Sequence, residues 1–192
     1  VGELGAALLL LGAACFAGQI VQLHRTRMRR AFDIHAPFAF AAALSAFAAT
    51  GLLVIGLIAR VSPVSPLWTA IVFLALFGVA ETAIQGFFYK IATFLVWLKR
   101  YAPVAGAKPV PKLEEMYSRR LAAAGWGFWT LAIAATALAL AFDWAALVEI
   151  APLMTAGAAC FVINVALIAR HWRSRQPAPT ATTKLVIRRA AS

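Results

Sequence analysis

The chain has 192 residues, 63% of them hydrophobic and only 13% charged, with a mean hydropathy of +0.83. Soluble domains run to about 45–50% apolar, so a soluble enzyme is set aside in favour of a polytopic membrane protein. The net charge of +11 would suit nucleic acid, but the basic residues sit in short segments between long apolar runs. The charge therefore reports topology, and no nucleic-acid partner is expected.

A membrane crossing needs about 20 mostly apolar residues. Such runs fall near 3–23, 37–59, 67–89, 121–142 and 150–170, giving an all-α bundle of five transmembrane spans over residues 1–170 and a basic cytoplasmic tail over 171–192. The first run is too long for a signal-peptide core and lacks a basic start, so it is read as a span. HRTRMRRAFDIH, which follows it, is basic, as are KRYAPVAGAKPVPKLEEMYSRR after the third run and ARHWRSRQ after the fifth. Placing all three in the cytoplasm gives an N-out, C-in chain.

The third span is expected to continue without a Pro or Gly break from Phe87 through Trp97 to Tyr101. A helix of about 35 residues is about 52 Å long, so it must tilt, kink or project from the bilayer. In the loop beyond it, Pro109 and Pro111 precede KLEEMYSRR. There Leu113, Met116 and Tyr117 share a face and Glu115 can reach Arg119, which predicts a short surface helix. The tail, QPAPTATTKLVIRRAAS, reads as disordered or in loose contact with anionic headgroups.

The third span also carries polar residues. At 100° per residue, Gly78, Glu81, Thr82, Gln85, Gly86, Tyr89 and Thr93 gather on one face, with Ala80, Ala83, Ile84, Phe87 and Phe88 on the other. Gly78, Thr82 and Gly86 are four apart, the spacing that lets another helix come close. Glu81 falls near the membrane midplane and must be protonated, partnered or wetted, because an unpaired carboxylate there costs at least a few kcal/mol. One reading makes it a proton-relay or polar site residue. The other, a neutral carboxyl bonded to Gln85 or a facing helix, is favoured because no second intramembrane acid or base extends a relay. Lys90, Trp97, Arg100 and Tyr101 read as lipid-interface residues at the cytoplasmic boundary.

Recognisable catalytic chemistry is scarce. His24, His35 and His171 are the only histidines and sit at cytoplasmic ends of spans, which makes them weak metal candidates and leaves no imidazole at membrane depth for haem or copper. Cys15 and Cys160 lie within apolar runs, where thiols act as small hydrophobes. No phosphate-binding glycine loop, dinucleotide fingerprint or nucleophile elbow is present. An enzyme is not favoured, and bound lipids are the expected ligands of this chain.

The block GFFYKIATFLVWLKRYAPVAGAKPVPKLEEMYSRRLA resembles the C-terminal half of uncharacterised bacterial multi-span proteins distantly similar to haem-copper oxidase subunit I. The matching positions are Gly86, Tyr89, Lys90, Ile91, Phe94, Leu95, Val96, Trp97, Arg100, Tyr101, Pro111, Tyr117 and Arg119, about a fifth of the chain. Ala92 and Thr93 stand where a proline-containing step is expected, and ligand histidines are missing. The resemblance implies a bacterial inner (cytoplasmic) membrane location and about half of the relatives' length, with haem or copper held by a partner. The expected function is a non-catalytic accessory subunit packing its polar stripe against partner helices, in a respiratory or other haem- or copper-containing membrane complex. The alternative is a proton-coupled transporter or channel component using Glu81, and a third reading is a haem protein or enzyme using the three histidines.

Overall fold

The computed structural model describes residues 2–25, 34–106, 109–143 and 147–173, without the side chains of several positions in the first helix and of Leu147. Its helices are α1 (Gly2–Arg25), α2 (His35–Ile58), α3 (Pro66–Arg100), α4 (Arg119–Ala141) and α5 (Leu147–Arg173). Among the described residues, α2 to α5 are long and apolar enough to cross a membrane. The segment 26–33, the side chain of His24 and the tail beyond Arg173 lie outside what is described.

Helix ends follow from local chemistry. Ser65 caps α3, its hydroxyl accepting from Leu67 N at 3.3 Å, and Pro66 follows at the first helical position. Ser118 caps α4 in the same way through Leu121 N. At the end of α2, Arg60 turns left-handed with φ 51° while Val61 N donates to Gly56 O and Arg60 N to Leu57 O. That pair of bonds is a Schellman closure, built here on an arginine where glycine is usual. Asp143 takes the same conformation, φ 53°, at the end of α4.

α3 is the axis of the bundle. α2 packs along its whole length, α4 against its start and α5 against its end, while α4 and α5 form a close pair and α1 rests on α2. Close approach depends on missing side chains. A Cβ on Gly86 would sit 2.5 Å from Phe38 Cβ, one on Gly78 2.7 Å from Ser45 Cβ, and one on Gly157 3.0 Å from the Trp129 backbone nitrogen. Tight contacts of this kind drive helix association where lipid offers no hydrophobic gain.

The long helix spans 35 residues, but it is not uniform. Leu74–Glu81 is π-helical. Ala70, Leu74, Gly78 and Thr82 are four apart and all buried. Three such steps in a regular α-helix would swing the last residue about 120° from the first, and the wider i→i+5 turns take up the surplus.

The expected surface helix before α4 is corrected to a single 3-10 turn, Leu113–Glu115. Met116 and Tyr117 are drawn into the core beside Tyr89 and Phe38, which pulls the backbone out of helical path. Glu115 then turns back to accept from Lys112 N at 3.1 Å, and Glu114, not Glu115, pairs with Arg119 at 2.8 Å.

Gly86→Ala is expected to cost about 1–3 kcal/mol by overpacking against Phe38. Gly127→Ala, where a new Cβ meets nothing within 4 Å, should be neutral or stabilising by up to about 1 kcal/mol. Thermal unfolding of the detergent-solubilised variants checks the contrast.

Candidate functional site: the polar face of the long helix

Helical periodicity puts the polar residues of α3 on one side, and the bundle closes over that side. Gly78, Thr82, Gln85, Gly86, Tyr89 and Thr93 are all buried, and Glu81 is half-buried. Their neighbours belong to the same chain: Ser45 and Phe38 from α2, Trp129 and Ile133 from α4, and Asn164 and Phe161 from α5. The face expected to receive partner helices is therefore occupied by this chain's own helices.

Each polar group has a local use. Thr82 Oγ1 donates to Phe77 O, five residues back, at 2.8 Å and accepts from Trp129 Nε1 at 3.0 Å. The hydroxyl thus ties the end of the π segment to α4. Thr93 Oγ1 donates to Tyr89 O at 2.6 Å. Gln85 Nε2 donates to Glu81 Oε1 at 3.3 Å, a long bond within one helix.

Tyr89 is the centre of the site. Its ring, 1% exposed, is surrounded by Phe38, Tyr117 and Phe161 with centroids 5.9, 5.2 and 5.6 Å away. Its hydroxyl accepts from Asn164 Nδ2 at 3.2 Å. Asn164 is fully buried on α5. Its Oδ1 accepts from Ser118 N at 2.8 Å and its Nδ2 also reaches Ser118 O at 3.3 Å. One carboxamide therefore joins α5, the centre of α3 and the cap of α4.

The lipid-interface candidates are mostly turned into the protein. Lys90 is exposed, but Trp97 Nε1 donates to Pro111 O at 3.1 Å, holding the chain at Pro111 against α3. Arg100 Nη2 donates to Trp172 O, its guanidinium stands 5.8 Å from the Trp172 ring centroid, and Lys99 Nζ lies 4.5 Å from the same centroid. Tyr101 Oη meets His171 Nδ1 at 2.8 Å. These contacts fasten the end of α3 to the end of α5.

The two histidines with described side chains have other neighbours. His35 stacks on Phe87 at 6.2 Å, His171 is taken up by Tyr101, and His24 is outside the described side chains. No group of three His, Cys, Asp or Glu that could hold a metal occurs among the described residues.

The sequence reading missed Asn164 and Trp129. An amide inside the run FVINVALIA was the available signal, since a carboxamide at membrane depth must find partners. Comparison with protein-family models, curated proteins and solved structures found no match to the chain.

Replacing Asn164 with Leu strands the part-buried Ser118 N–H and is expected to cost about 1–3 kcal/mol, whereas Tyr89→Phe removes one hydrogen bond, worth about 0.5–1.5 kcal/mol. Thermal unfolding midpoints should rank wild type, Tyr89→Phe, Asn164→Leu. Equal effects would contradict the assignment of Asn164 as the junction.

Proposed function

We propose that the chain is a non-catalytic integral subunit of a bacterial inner-membrane complex, with five spans including α1, its N-terminus outside and its C-terminus inside. The observation that carries this reading is the use of the polar face. Thr82, Gln85, Tyr89, Thr93 and Asn164 make their hydrogen bonds inside the chain, where they stabilise the fold.

Topology is supported by charge. Of 18 Lys and Arg residues, Arg60 alone lies in a connection at the end of the bundle opposite the basic segments. Partner contact falls to the other side of α3, where Leu76, Ile84, Phe87, Ile91, Phe94 and Leu98 are exposed. That side is a continuous apolar surface suited to lipid and to another multi-span subunit. In the setting the sequence resemblance suggests, the partner belongs to a respiratory or other haem- or copper-containing complex and holds the cofactor itself.

The test is extraction of the protein from its own membrane in mild detergent, with the native mass and the co-extracted chains determined. A stoichiometric multi-span partner is expected, and Ala80→Trp on the exposed side of α3 should release it without unfolding the chain. Extraction as a lone monomer or homo-oligomer would contradict the proposal.

A second reading, a proton-coupled component, is favoured by one observation: Glu81 is only half-buried and closes the π segment, a feature frequent at functional sites. It requires Glu81→Gln to abolish proton flux in proteoliposomes. Undiminished flux, or none in the wild type, removes it.

A further inference from the structure

At the end of the bundle away from the basic segments, α2 and α4 part around an open apolar groove lined from Ala41 to Ile55 and from Thr130 to Phe142. At the opposite end, α3 and α5 finish side by side and bring their basic last turns together. Lys99 and Arg100 close α3, while Arg170, His171 and Arg173 close α5.

Distances fix the arrangement around one indole. Lys99 Nζ stands 4.5 Å and Arg100 Cζ 5.8 Å from the centre of the Trp172 ring, within the range of cation–π attraction. Arg100 Nη2 also donates to Trp172 O, and Tyr101 Oη meets His171 Nδ1 at 2.8 Å, so the two helix ends hold a fixed register. Lys99, Arg170, Trp172 and Arg173 are exposed.

The charge gathered here exceeds what the helices use. Each helix C-terminus carries about half a negative charge, so the two ends offset about one of the four Lys and Arg charges in these turns. Neither helix supplies an acid nearby: none occurs from Thr82 to Arg100 or from Ile150 to Arg173. In the loop before α4, Glu114 pairs with Arg119 and Glu115 accepts from Lys112 N. Arg100 itself is under-satisfied, since its Nε is buried and has no hydrogen-bond acceptor among the described residues.

We propose that Lys99 and Arg100, set on Trp172, bind the phosphate of an anionic phospholipid, with Arg170 and Arg173 adding to the local positive potential. Depth selects a lipid. α5 has 27 residues and is about 40 Å long, close to the roughly 40–45 Å of a bilayer with its headgroups. Its last turn, and the end of α3 fastened to it, therefore lie at the level of the phosphates. Charge selects an anionic lipid, because the ammonium of a zwitterionic headgroup finds cations and no carboxylate on these two helix ends.

The proposal rests on the bilayer reading and is independent of the accessory-subunit reading; the experiment tells a failed site from a failed bilayer reading. The full chain is reconstituted in phosphatidylcholine vesicles and floated on a density gradient. It is then released in mild detergent and titrated with phosphatidylglycerol or phosphatidylethanolamine of matched acyl chains, the adducts being resolved by native mass spectrometry. A Lys or Arg at an anionic surface contributes a factor of about five, so one phosphatidylglycerol should bind about 20-fold more tightly than phosphatidylethanolamine. Lys99→Gln should lower that preference about fivefold. Trp172→Leu keeps every charge and should still lower it about threefold, because the cations lose their platform. Lys112→Gln combined with Arg120→Gln removes two exposed charges from the same end of the bundle and should leave the preference unchanged.

Equal binding of the two lipids, or full preference in the Trp172→Leu variant, overturns the site. So does an equal loss in the Lys99 variant and the Lys112 and Arg120 variant, which would show diffuse attraction to a basic end. Displacement of phosphatidylglycerol by excess inorganic phosphate at constant ionic strength overturns the lipid as occupant and identifies a soluble phosphate instead. A chain that does not float with the vesicles overturns the bilayer reading, and the site with it.

Discussion

A span in hydrocarbon cannot leave hydrogen-bonding side chains facing lipid, because nothing there replaces lost water. The third helix carries six such groups from Glu81 to Thr93, and the rest of the bundle closes over four of them, Thr82, Gln85, Tyr89 and Thr93. α4 supplies Trp129 to Thr82, α5 supplies Asn164 to Tyr89, and α2 gives Phe38 and Ser45 to seal Gly86 and Gly78. Small residues and polar groups act together here: glycines bring the helices close enough for the hydrogen bonds to be made.

The two ends of the bundle consequently differ. Near the basic segments, Trp126, Trp97, Arg100 and Tyr101 bind backbone carbonyls or a neighbouring side chain across helices and loops. This end is stitched by polar contacts that an interface with water tolerates. Toward the other end the helices are held by the apolar group of Ala49, Leu74, Trp129, Ile133 and Ala137, and α2 and α4 separate. Polar cross-links at one end and a gap at the other both follow from where the hydrogen bonds lie.

The sequence was most legible where physics is periodic. Long apolar runs located the helices, and 100° spacing placed Gly78, Thr82, Gln85, Gly86, Tyr89 and Thr93 on a single face. The π segment was harder to see, although the four-residue spacing of Ala70, Leu74, Gly78 and Thr82 recorded it. The loop before α4 was misread because local i,i+4 pairing of Glu115 with Arg119 was weighed without the tertiary pull on Met116 and Tyr117. What covers the stripe is a long-range fact: Asn164 and Tyr89 are 75 residues apart, and no local pattern joins them. Trp97, Arg100 and Tyr101 have the composition of an interfacial belt, and only the return of α5 beside them shows that they bond to protein.

The central claim is that the polar face of the third helix is closed within the chain and works as structure. The most direct measurement is thiol accessibility in intact membrane vesicles, with Cys15 and Cys160 replaced and single cysteines placed at Gln85, Thr93 and, as an exposed reference, Lys99. Closure predicts that a membrane-impermeant thiol reagent labels position 99 readily and positions 85 and 93 not at all, from either side. Reaction at 85 and 93 would mean that water reaches the stripe, contradicting the structural role and placing Glu81 on an open path.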